Sequence, residues 1–87
     1  TEDRYLAEFQ SALREVVTHI PQVLVISLGF DGHREDPLSI FQLSDEAFVS
    51  MARDIASLHL PTVVVQEGGY NIKNLGRLLS LFLENLR

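Results

Sequence analysis

Apolar residues fall at Tyr5, Leu6, Phe9, Leu13, Val16, Val17 and Ile20. Their steps of three and four predict an amphipathic helix over residues 3–19. Pro21 stops it, since the residue before a proline is pushed out of helical geometry. The period then vanishes. Residues 23–28, Val-Leu-Val-Ile-Ser-Leu, form a short β-branched apolar run. Such a run reads as a strand buried on both faces, the kind found in parallel sheets. Gly29 ends it. Residues 29–43 follow no period and carry Gly29, Asp31, Gly32, Asp36, Pro37 and Ser39, all loop formers. A loop of about fifteen residues is long for a compact domain, and loops of that length are often functional.

Ser44 is placed to cap a second helix, with Asp45 and Glu46 at the positive end of its dipole. Phe48, Met51, Ala52, Ile55 and Leu58 form its apolar face, and Pro61 marks the next boundary. Residues 62–65, Thr-Val-Val-Val, predict a second buried strand, and residues 66–71 a turn. Leu75, Leu78, Leu79, Phe82 and Leu86 predict a third helix running to the end. The expected order, α-β-α-β-α, contains one βαβ unit, whose strands run parallel. Two strands apolar on both faces belong inside a wider sheet, because alone each would leave an unpaired edge. The chain therefore reads as a slice of a larger α/β domain. Packing against another copy is the alternative cover for those edges.

Composition narrows the partners. A net charge of −5 and a pI near 5.0 argue against nucleic acid or an anionic membrane, which require clustered Lys and Arg. No apolar run approaches the roughly 20 residues that span a bilayer. The absence of cysteine excludes disulfides and thiolate metal sites, and suits the cytoplasmic location we expect. A first residue of Thr1 rather than Met is what a processed or excised chain would have.

Ligand sites in open α/β sheets form beyond the carboxyl ends of the strands. Two loops lie there. In the first, Asp31 follows an apolar strand and a glycine. Its carboxylate could ligate a divalent metal, act as a base, or cap a turn. His33, two residues on, completes an Asp-x-His spelling. Two ligands so close still leave a zinc shell incomplete, and we expect His33 to be an exposed loop residue and not a ligand. Asp36-Pro37 reads as a turn initiator. In the second loop, Gly68 and Gly69 permit positive φ or close backbone approach. Tyr70 could then aim a hydroxyl into a cleft or simply fill a tight turn, and Glu67 could start a helix or meet a cation. His19 and His59, each near a helix end before a proline, read as structural.

Taken together, Leu28-Gly29-Phe30-Asp31, Asp36-Pro37, the Phe41-x-Leu43 segment and Glu67-Gly68-Gly69-Tyr70 resemble the C-terminal part of the histone deacetylase superfamily, which has the arginase/deacetylase fold. The resemblance covers residue 23 to the end. Its spelling is nearer to bacterial acetylpolyamine amidohydrolases and class II deacetylases than to class I. It implies that Asp31 is a zinc ligand and that Tyr70 donates a hydrogen bond to the substrate carbonyl, with Glu67, Gly68 and Gly69 in the substrate-side loop. It also implies that residues 1–87 are the C-terminal part of a catalytic domain. The family's other zinc ligands and its paired-histidine base lie upstream of the matched region, and this chain has no His-His pair.

The reading is therefore a segment of a zinc-dependent amidohydrolase, inactive alone. Its parent would remove acetyl groups from a cationic amine, either acetyl-lysine in a protein or an acetylated polyamine. The partner of this segment is the remainder of that catalytic domain. The alternative is a non-catalytic α/β module that keeps this layer for folding or protein interaction.

Overall fold

The Thr1 hydroxyl accepts the Arg4 amide at 3.2 Å, and the first helix opens behind that cap. A computed structural model describes all 87 residues. They form α1 (Glu2–Val17), β1 (Leu24–Leu28), α2 (Asp45–Ala56), β2 (Thr62–Gln66) and α3 (Ile72–Leu86). Ser44 caps α2 as its sequence position predicts, its hydroxyl accepting the Ala47 amide at 3.3 Å. The Ser44 amide in turn donates to the Glu2 carboxylate at 2.6 Å, which fastens the start of α1 to the start of α2. Asn71 precedes α3 without a side-chain capping bond, its amide group being committed elsewhere.

β1 and β2 pair in parallel, with Leu24 opposite Thr62 and Leu28 opposite Gln66. Leu24, Ile26, Leu28 and Val64 share one face and pack into a core with Phe48, Met51 and Ile55 of α2 and Leu78 and Phe82 of α3. Phe30 and Leu43, from the long loop, are as deeply buried as Phe82 of α3. Their rings and branches fill the space between loop and helices, Phe30 lying 5.2 Å from Phe48 and 6.4 Å from Phe82 between ring centres.

The structure departs from the sequence reading at the strands and at α1. Only one strand face is covered. Val25 is 68 % exposed, and Val63 and Val65, on the same face, are about half exposed. Alternation along a strand sends every second residue to the far side, and all three helices of this chain pack on the near side. In α1, Tyr5, Leu6, Phe9 and Leu13 pack against the core, but Val16, Val17 and Ile20 do not reach it. Ile20 instead adopts a left-handed backbone (φ 51°) beyond the helix end, and His59 does the same beyond α2 (φ 54°).

The exposed valine face is apolar and has no partner inside the chain. Val25→Thr and Val63→Thr should each change the unfolding free energy of the 87-residue chain by no more than about 0.5 kcal/mol, as surface changes do. In a full-length protein that covers this face, each should cost about 1–3 kcal/mol, because a hydroxyl would be buried without a partner. Urea unfolding of both lengths measures the difference. Equal effects in the two would mean that nothing covers the face.

Candidate active site at the strand ends

The last register pair, Leu28 and Gln66, brings the two strand-end loops side by side. The ladder continues past the strands. The Glu67 amide donates to the Leu28 carbonyl at 2.7 Å, and the Phe30 amide to the Gly68 carbonyl at 2.9 Å. The Gln66 side chain closes the second loop, its amide nitrogen donating to the carbonyls of Glu67 and Gly68 at 3.0 and 3.1 Å.

This closeness decides which residues fit. A Cβ on Gly68 would lie 2.8 Å from both Cγ and Oδ1 of Asp31, and one on Gly29 would lie 2.8 Å from the same Oδ1. The Asp31 carboxylate thus occupies the space that side chains at 29 and 68 would need. It is exposed and takes part in none of the three ion pairs. Gly69 is required for a different reason. Its φ is +142°, and a Cβ there would meet Leu75 Cδ1 at 2.7 Å. The turn can therefore lie flat against α3 only with glycine at this position.

Tyr70 follows this turn. The residue is 54 % exposed, so packing does little to hold it. Its backbone is held by Asp36, which the sequence reading took for a simple turn residue. Asp36 is only 7 % exposed. One carboxylate oxygen accepts the Leu38 amide at 2.9 Å, the local turn that Asp-Pro implies, and the other accepts the Tyr70 amide at 2.6 Å. Burial works against ionisation of Asp36. The amides of Tyr70, Leu38 and Asn71, with help from nearby His33, outweigh it and hold the carboxyl below its ordinary range. A second tie joins the same loops, the Asn71 side chain donating to the Glu35 carbonyl at 2.9 Å. Asp31, Glu67, Gly68 and Tyr70, with Leu38 and Phe41, wall one open cleft of about 630 Å³.

Comparison with known proteins matches residues 1–86 to the histone deacetylase domain. The chain belongs to the histone deacetylase family. It is 43% identical over 75 residues to an acetylpolyamine amidohydrolase of Burkholderia pseudomallei, covering 86% of this chain and 22% of that protein. It is 39% identical over 74 residues to acetylpolyamine amidohydrolase 1 of Pseudomonas aeruginosa, covering 85% of this chain and 21% of that protein. The crystal structure of acetylpolyamine aminohydrolase from Burkholderia pseudomallei superposes with a TM-score of 0.92 at 39% identity, over 98% of this chain and 25% of that one. This deacetylase-family chain thus spans between a fifth and a quarter of the length of these relatives. It has no helix long and apolar enough to cross a membrane.

His33 is not the exposed loop residue that its position suggested. It is 2 % exposed. Its Nδ1 accepts the Glu35 amide at 3.1 Å and its Nε2 donates to Asp45 at 2.7 Å, so both ring nitrogens are engaged inside the chain. The loop is folded over it, Gly32 and Arg34 pairing with Leu43 through bonds of 2.9 and 2.8 Å. Asp45 also takes the Arg77 guanidinium at 2.5 Å, which links the loop through α2 to α3. That guanidinium is the strongest influence on Asp45. With the His33 contact it overcomes the cost of burial and keeps the carboxyl below the usual range. No three His, Asp or Glu side chains gather into a set that could hold a metal ion.

The lowered pKa of Asp45 makes a pH prediction with a definite sign. A carboxyl with a depressed folded-state pKa contributes stability that is present above its unfolded value and lost as pH falls through the folded one. Asp45→Asn should therefore lower the urea midpoint at pH 7. The gap to the wild-type chain should narrow below about pH 4, where the unfolded carboxyl begins to protonate. A gap that stays constant from pH 7 to pH 2 would show that the charge on Asp45 contributes nothing.

Proposed function

We propose that this segment supplies one metal-ligating carboxylate, Asp31, and one hydrogen-bond donor, Tyr70, to a zinc-dependent amidohydrolase that removes acetyl groups from amines. The observation that carries the reading is the Asp31 carboxylate, seated over Gly29 and Gly68 and exposed to the same cleft as Tyr70. A carboxylate with no ion-pair partner, at the carboxyl ends of parallel strands, fits a divalent cation such as zinc, which accepts Asp oxygen among its ligands. Zinc, when bound, supplies Lewis acidity to the amide carbonyl. Asp31 fixes one direction of approach to it, and the glycine cradle sets where that carboxylate stands. Tyr70 donates a hydrogen bond from its phenolic hydroxyl to the carbonyl oxygen as negative charge builds there. Donors placed for developing charge accelerate the reaction because they need no rearrangement in the transition state.

The remainder of the catalytic domain supplies the other ligands and the base. An acetylated polyamine is the favoured substrate, since the relatives at 43% and 39% identity carry that name. Acetyl-lysine is the second candidate. Either product amine is cationic, in keeping with the net charge of −5.

The 87-residue chain alone should bind zinc weakly in calorimetry and hydrolyse neither substrate, because one carboxylate cannot hold a catalytic zinc. Tight one-to-one binding would mean that a second ligand group exists within it. In the full-length enzyme, Asp31→Ala should lose zinc and activity together. Tyr70→Phe should keep zinc while kcat falls on the order of 10²-fold or more. His33→Ala should retain zinc, since its nitrogens serve Glu35 and Asp45. Metal analysis and steady-state kinetics on the three variants decide the roles. A Tyr70→Phe enzyme with near-normal kcat would refute the assignment of the hydroxyl.

A further inference from the structure

Tyr70 poses a positioning problem that its own side chain does not solve. Tyr70 is more than half exposed, and it follows two glycines, one at φ +142°. Glycine-rich backbone loses more freedom on ordering than any other, so such a turn needs an external hold. Two bonds provide it, both from the loop after β1. Asp36 accepts the Tyr70 amide at 2.6 Å, and the Glu35 carbonyl accepts the Asn71 side chain at 2.9 Å. Both residues of the tie lie at the point where the chain leaves the glycines.

We propose that Asp36, seconded by Asn71, is the positioning residue for the Tyr70 hydroxyl: it fixes the tyrosine backbone from the neighbouring strand-end loop and acts on catalysis only through that hydroxyl. This rests on the reading of Tyr70 as the carbonyl donor. Asp36 is not itself a ligand or base in this account, because each of its oxygens already accepts a backbone amide. Its depressed pKa agrees, since the ionised form is the one the amides hold.

The carboxylate also explains why asparagine is no substitute. Asp36 accepts at both oxygens, whereas an amide offers one oxygen and one donor group. Whichever way the Asp36→Asn side chain turned, either the Leu38 or the Tyr70 N–H would face another donor. The turn would then shift by a fraction of an ångström to an ångström, and misplacement on that scale can cost about 10²-fold in rate.

A double-mutant cycle on the full-length enzyme tests this. Asp36→Asn should lower kcat by about ten- to a hundred-fold, leave KM within about two-fold, and keep the zinc content of the wild type. In the Tyr70→Phe background the same change should cost nothing further, because the hydroxyl it positions is gone. Asn71→Ala should lower kcat by about two- to ten-fold, the scale of one lost hydrogen bond, and should likewise be silent in Tyr70→Phe. If Asp36→Asn does not fold, Asn71→Ala carries the cycle. Losses that add fully to that of Tyr70→Phe, or a loss of zinc, would overturn the proposal and leave Tyr70 as the donor. Near-normal kcat in Tyr70→Phe alone would instead remove the reading on which it rests.

Discussion

The contact between the Asp31 carboxylate and Gly68 is the constraint around which this end of the molecule is arranged. A single methyl group at position 68 would stand 2.8 Å from that carboxylate, well inside van der Waals distance. The contact exists because the strands are parallel and in register to their last pair, Leu28 and Gln66, and because the ladder runs on into both loops. Gly29, Gly68 and Gly69 then have separate uses. The first two leave room for the carboxylate. The third lets the turn reach α3 with a positive φ. Asp36 closes the arrangement by bonding to the residue after the glycines.

Around this rim the fold is half covered. Three helices pack on one face of two strands, and the core of Leu24, Leu28, Phe48, Met51, Ile55, Leu78 and Phe82 lies between. The other face displays Val25, Val63 and Val65 to solvent. The superposed relative of known structure is about four times as long as this chain, which matches a quarter of its length. At the strand ends no group of three His, Asp or Glu side chains gathers around Asp31. Under the proposed function the apolar face and the lone carboxylate have one explanation: other residues of a longer protein continue both sheet and site.

Much of the fold was legible because periodicity is local. The 3.6-residue spacing of α2 and α3, the β-branched runs of both strands, and the Ser44 cap each depend on residues a few positions apart, and each was found within a few residues of its place. That Asp31 and Tyr70 share one cleft beyond the strand ends was legible from the βαβ order, which puts both loops on the same rim. What escaped was long-range. Asp36 reads as an Asp-Pro turn because its bond to Leu38 is a turn bond. The bond from its second oxygen to Tyr70, 34 positions away, leaves no trace in a local pattern. His33 reads as exposed because it stands in a polar loop, and its burial depends on Asp45 and the fold of the loop onto Leu43. The strand valines read as buried because a β-branched apolar run suits a strand covered on both faces, and in this chain one face is open.

The central claim is that this segment holds a metal-ligating carboxylate in a place that glycine at 68 keeps open. Metal analysis of full-length Gly68→Ala tests it most directly. Gly68 does not have a left-handed backbone, and the atoms in the way belong to the end of a short side chain, so the fold can absorb the methyl group by moving the carboxylate. The account predicts a folded protein with an unchanged circular dichroism spectrum that has lost most of its zinc. A folded Gly68→Ala protein with a full complement of zinc would contradict it.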